Sequence, residues 1–204
     1  MKKITPLLIF IFVFPICTFG FEWPQSDEAL DKALQNHSQK YARMADAVRQ
    51  RQEYMIETST EPPLGVVIGR DKQLVIQLNP ALKGARRASI LIWEMANAFQ
   101  RPRFDEIDRR ARNGEIDNHI EFGLRMEIIE YDSFRHHREV LEELDKSIGK
   151  IDGDYLSFIN PALKTLEGYQ IPYAHDYIEA QAESGHTRHY ETWFYHQIGK
   201  TPPF

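Results

Sequence analysis

The sequence predicts a mainly α fold with one small β-hairpin (α+β), on three observations. Apolar residues recur at three- and four-residue spacing over most of the chain, which is the helical period. Two β-branched runs, 64–69 and 73–78, stand side by side across a short polar link. No internal repeat, low-complexity tract or long linker divides the chain, so one domain is expected over 21–204.

Residues 1–20 are set apart. Lys2 and Lys3 precede the apolar run Leu7-Leu8-Ile9-Phe10-Ile11-Phe12-Val13-Phe14, followed by Pro15 and, at the end, Gly20. This is the pattern of a cleaved signal peptide, and it implies an exported protein, periplasmic or secreted, without a transmembrane anchor after cleavage. The apolar core is shorter than the roughly 20 residues a membrane span needs. Cys17 would suit lipid attachment, but Ile16 before it is bulky where such sites take a small residue; cleavage after Gly20 is the expectation. That cut removes the single cysteine, and with it any disulfide, thiolate ligand or thiol nucleophile. It leaves 23 basic against 30 acidic residues, a net charge of -7, which disfavours non-specific nucleic-acid binding.

After Pro24, Ser26 is placed to cap a helix with Asp27 and Glu28 in its first turn. Leu30, Ala33, Leu34, His37, Tyr41, Met44, Ala45, Val48 and Met55 continue the period, so one long helix is predicted to about Glu57. The hairpin follows, then Asn79-Pro80, then a second helix over 85–99. Arg101-Pro102-Arg103 is expected to end that helix, and a short one over 104–112 to stop at Asn113-Gly114. A long helix over 117–147 is predicted to turn Ile120, Leu124, Ile128 or Glu127, Tyr131, Phe134, Leu141 and Leu144 inward. Helices over 155–166 and 173–198 complete the chain.

The second helix contains Trp93-Glu94-Met95-Ala96-Asn97. Laid on the pattern His-Glu-x-x-His, Trp93 takes the first histidine, Glu94 the glutamate and Asn97 the second histidine. With the hairpin immediately upstream, the stretch 64–99 resembles the core of zincin-type metallopeptidases. The resemblance implies two histidines on zinc, a glutamate acting as general base, and a third ligand from a downstream helix, to which Glu127 or Glu130 would correspond. An indole N–H only donates, however, and one amide oxygen is a poor substitute for imidazole on zinc. Conventional zinc-peptidase activity is therefore not expected, no metal ligand is assigned and no cofactor is expected. Glu94 shares a helical face with Ile90, Leu91 and Ala98, so it must find partners or hold its proton.

Glu94 is thus the candidate catalytic residue, and Asn97, Glu127, Glu130, Tyr131 and His137 are candidate binding residues. Glu94, Glu130 and His137 together would make a pocket able to take a hard cation. The opposing reading is a solvated helix face with pairs such as Glu121 and Arg125. In 186–196, His186, His189 and His196 share an arc, but the outer two are about 10.5 Å apart along the axis. That segment reads as a helix packing Tyr190, Trp193 and Phe194, or as a pH-sensitive face. The arginines of 101–112 are interrupted by acids and lack aromatic platforms, so no nucleic-acid surface is expected.

Two functions follow. One is an exported binding protein, its partner an unknown protein or small ligand. The other is a metal-dependent hydrolase with an unconventional carboxylate and histidine site. Beyond these two, a third reading is a secreted partner of another protein, for example an immunity or inhibitor protein facing an exported toxin.

Overall fold

The structure is a computed structural model that describes residues 21–61, 64–70, 72–149 and 173–203. The expected signal peptide and the expected helix over 155–166 lie outside the described residues. The described chain is mainly helical with a small three-stranded sheet. No described helix is long and apolar enough to cross a membrane.

The expected first helix is three elements. Helix α1 spans Asp27–His37 and α2 spans Gln39–Arg51, with Ser38 between them in an extended conformation. Ser38 ends α1 by donating its N–H to Leu34 and caps α2 by accepting from Tyr41 N–H at 3.0 Å. Its hydroxyl also donates to Glu143, 2.7 Å away, so a tertiary contact holds the break open. The apolar period runs on through both helices, which hides the break from a reading of spacing alone.

Tyr54–Thr58 forms strand β1, not the last turn of a helix. It pairs in parallel with β3, Gln73–Leu78, and β2, Gly65–Arg70, pairs antiparallel on the other side, giving the order β1-β3-β2. Inter-strand hydrogen bonds override the local helical period here, and they come from residues some twenty positions away.

Helix α3 runs unbroken from Gly84 to Arg112 with Pro102 inside it, so the expected stop at 101–103 does not occur. Proline has no N–H to give the carbonyl four residues back, Ala98. Arg51 supplies the missing donor: its Nη2 lies 3.2 Å from the Ala98 carbonyl and 3.0 Å from that of Phe99.

Helix α4, His119–Ile148, is capped by Asn118, whose side chain accepts from Glu121 N–H at 2.8 Å. The expected 173–198 helix is two, α5 over Ala174–Ser184 and α6 over His186–Gln197. Gly185 turns the chain between them at φ 82°, a conformation glycine adopts without a Cβ clash.

The inward face of α4 differs from the expected one. Phe134, Leu141 and Leu144 are buried, and so is Glu127, the alternative to Ile128, but Ile120, Leu124 and Ile128 are 63%, 43% and 42% exposed. The buried stripe instead passes through Phe122, Met126, Ile129, Ser133, His137, Val140 and Leu144. Its period is helical, but two of its members are polar, and this disguises it.

Most of the apolar core lies where α1, α2, the sheet, α3 and the C-terminal part of α4 meet. A smaller cluster joins the far ends of α3 and α4 to Phe194 of α6.

Candidate functional site

A cleft of about 670 Å³ opens between β2, α3, α4 and α6. Among the described residues strand β2 pairs on one side only, with β3, and residues Gly65 to Gly69 line the cleft. Gly65 is there for lack of a side chain. A Cβ on it would come within 2.7 Å of Ile90 Cγ2 and 3.0 Å of Glu94 Cγ, so glycine lets the strand lie directly on the motif helix.

From α3 come Trp93, Glu94 and Asn97, one turn of helix facing one opening, with Arg101, Phe104 and Asp108 farther along. Glu94 is buried and is hydrogen-bonded by Asn97. Burial, then the Glu130 charge, pushes its carboxyl up to about 8, against the smaller opposing effect of Asn97. Glu94 is therefore protonated at neutral pH.

Helix α4 contributes Glu130 to the cleft and Glu127 just behind it. Glu127 is fully buried and accepts from Thr187 Oγ1 at 2.9 Å, with His186 Nδ1 at 3.0 Å. Glu130 accepts from the Tyr190 hydroxyl at 2.5 Å. Burial raises the pKa of Glu130, and Glu127 adds to this, while the His186 charge and the Tyr190 hydrogen bond oppose it. One oxygen of each carboxylate, Oε2, has no hydrogen-bond partner among the described residues, nor has Asn97 Oδ1. Buried acceptors without donors are uncommon, because each forfeits its hydration.

Helix α6 supplies the donors. Burial by itself would lower the His186 pKa, but its bond to Glu127 and the charges of Glu130 and Glu127 outweigh that and raise it. His186 and Glu127 are thus a hydrogen-bonded pair, Nδ1 to Oε1. Trp193 donates its indole N–H to Asp108 Oδ1 at 3.1 Å and remains 42% exposed at the cleft.

The structure brings Glu94, Asn97 and Glu130 to one cleft, with Glu127 bonded to His186 behind it. It does not bring His137 or Tyr131 there. His137 is fully buried, its Nε2 is 2.9 Å from Ser89 Oγ, and its ring meets Trp93 edge-on with centroids 6.0 Å apart. Burial, then the Arg138 charge, lowers its pKa to about 3, so it is a neutral core imidazole. Tyr131 packs against Tyr177, with ring centroids 5.5 Å apart. His186 occupies the place expected of His137. Of the three C-terminal histidines, His186 and His189 line the cleft.

Thr187, Tyr190 and Trp193 were not among the residues the sequence singled out for the site. Their only signal is the aromatic and imidazole density of 186–196, and that density fits packing equally well. The donor set does not fit zinc, since Trp93 stands where an imidazole is needed. Among the described residues no group of three or more His, Cys, Asp and Glu side chains is arranged to hold a metal ion. No protein-family model, curated protein or solved structure matches this chain.

Proposed function

We propose that the chain is an exported, non-catalytic binding protein. Its ligand site is the cleft between β2, α3, α4 and α6, and its scaffold is a degenerate zincin-like hairpin and helix. The setting of Glu94 carries this reading. The residue is buried under Gly65, beside the Glu130 charge, and keeps its proton up to about pH 8. A protonated carboxyl cannot take a proton from water, so Glu94 is a poor general base at neutral pH.

The cleft volume, about 670 Å³, lies within the roughly 300–1,000 Å³ that organic ligands occupy. An exposed indole at its edge supports a binding role, since aromatic side chains supply large contact area at low entropic cost. The seating of β2 on the motif helix supports the zincin-like reading of 64–99. Export rests on the basic and apolar pattern of residues 1–20.

One observation favours the hydrolase alternative: an imidazole, that of His186, does stand beside Glu127 and Glu130. Incubation with a fluorogenic peptide library, with and without added zinc, separates the two. The binding reading expects no cleavage above blank, and turnover abolished by Glu94→Gln would overturn it. A fragment screen followed through indole N–H resonances tests the cleft itself. Fragments that bind there should move the Trp93 and Trp193 signals and leave that of Trp23 in place; fragments that move none of them would count against the site. N-terminal sequencing of exported protein should begin at Phe21, and an intact Met1 would overturn export with cleavage.

A further inference from the structure

We infer that the cleft recognises a cationic nitrogen, a primary ammonium or a guanidinium, seated on Glu130, Glu94 and Asn97 with the indoles of Trp93 and Trp193 beside it. The inference rests on the cleft being a ligand site and names the chemistry of what it takes.

Around Glu94 and Glu130 the cleft offers acceptors, and the side-chain donors that reach them are already used. Asn97 uses its amide on Glu94, Tyr190 its hydroxyl on Glu130, and Trp193 its N–H on Asp108. Arg101 is paired with Asp105 at 2.7 Å and His186 with Glu127. Glu130, 6% exposed, still has a buried oxygen that meets no donor among the described residues, as does Asn97. The complement to such a surface is a group that brings N–H donors.

Charge decides between a neutral donor and a cation. Two carboxyls side by side in a poorly hydrated place cannot both ionise without a counter-charge. Here burial and the Glu130 charge hold Glu94 protonated, burial with the Glu127 charge raises Glu130, and a bound cation would let one or both release their protons. The aromatic lining adds to this. A cation over an indole face gains about 0.5–2 kcal/mol, and both cleft tryptophans are within the lining.

A bare divalent ion fits less well. It needs several oxygens converging at about 2.0–2.6 Å, and the described residues hold no such group of three. An ammonium reaches acceptors through hydrogen bonds near 2.8 Å and can use oxygens spread more widely. A free amine and a lysine or arginine side chain of a partner share this chemistry.

The test is calorimetric titration of the mature chain at pH 8 with four probes. These are spermidine, acetyl-Gly-Lys-Gly-amide, acetyl-Gly-Arg-Gly-amide, and the lysine peptide with its side chain acetylated. Binding of spermidine alone assigns a free amine, and binding of the peptides assigns a side chain. The acetylated peptide should bind at least about tenfold more weakly than its parent, the loss a charge-assisted contact commonly carries. If it binds equally well, the cation is wrong while the cleft stands. If no cationic probe binds up to millimolar concentration, the inference fails, and the indole fragment screen tells whether the cleft fails with it.

Glu130→Gln should weaken the cationic probe about tenfold, and Trp193→Ala, with folding checked by circular dichroism because the indole also bonds Asp108, about threefold. Lys146→Ala, away from the cleft, should change nothing. Affinity should rise between about pH 6 and 8 with proton release. The groups facing Glu94 and Glu130 are Asn97 of α3, Glu127 of α4, Tyr177 of α5, and His186 and Tyr190 of α6, with His189 on the same lining. Unchanged affinity in both variants would overturn the assignment.

Discussion

The two sides of α3 are built on opposite terms. Toward the sheet and α2, the helix buries Ala88, Leu91, Ile92 and Met95 among apolar neighbours, in the largest hydrophobic cluster of the molecule. Toward α4 and α6 it buries Ser89 and Glu94 opposite Glu127, Glu130, Ser133 and His137. Apolar burial gains about 25 cal/mol per Å², while a buried carboxyl loses hydration and recovers it only through partners. One side therefore holds the fold together, and the other is held in place by it. A buried polar face that does not maximise stability is where a binding function is expected.

The largest effect should come from the apolar side. Leu91→Ala removes a fully buried side chain and should cost about 2–5 kcal/mol in urea unfolding. A loss below about 1 kcal/mol would show that the two sides do not differ as described.

The polar side should respond to pH. In the folded protein Glu94 keeps its proton from its ordinary 4.5 up to about 8, where the unfolded chain has lost it, so stability falls as pH rises across that window. His137 works in the other direction, staying neutral down to about 3 when folded, so stability falls as pH drops below its ordinary 6.5. The two oppose each other between about 4.5 and 6.5, and the stability profile should peak there and decline toward pH 8. Glu94→Gln should remove much of the alkaline decline, an effect of a few kcal/mol at one pKa unit per about 1.4 kcal/mol. An unchanged alkaline limb in chemical denaturation would place the proton elsewhere.

A smaller effect tests how α3 passes Pro102. Arg51→Ala should cost about 1–2 kcal/mol, and less when Pro102→Ala restores the backbone donor to Ala98. Equal costs in both backgrounds would mean that Arg51 acts through its contact with Phe99 instead. The smallest is Ser38→Ala, about 1 kcal/mol for the lost cap and Glu143 contact, with melting followed by circular dichroism.

Much of the fold was legible in the sequence. Ser26 caps the helix it was placed to cap, the hairpin pairs over the predicted runs, and Glu121 meets Arg125 at 2.7 Å one turn on. These depend on neighbours within four residues, or on two strands joined by a short link. The site was half legible. Glu94 and Asn97 sit one turn apart on a face with apolar neighbours, and their spacing alone puts them together. Helical spacing admitted Glu127 to the inner face as an alternative to Ile128, but nothing local tells that Ile120, Leu124 and Ile128 turn outward.

The sequence by itself determined a helical chain with a small sheet and a motif helix whose glutamate has no histidines beside it. It also set the expectation of export and the loss of the only cysteine. Tertiary structure decided that Tyr54–Thr58 is a strand, that α3 continues through Pro102, and that His186 rather than His137 meets the carboxylates. Each of these depends on a partner far along the chain, 47 residues from Arg51 to Ala98 and 59 from Glu127 to His186. Local periodicity carries the spacing of side chains on one element. Which face meets which element is set by packing and by hydrogen bonds between residues that no short window contains.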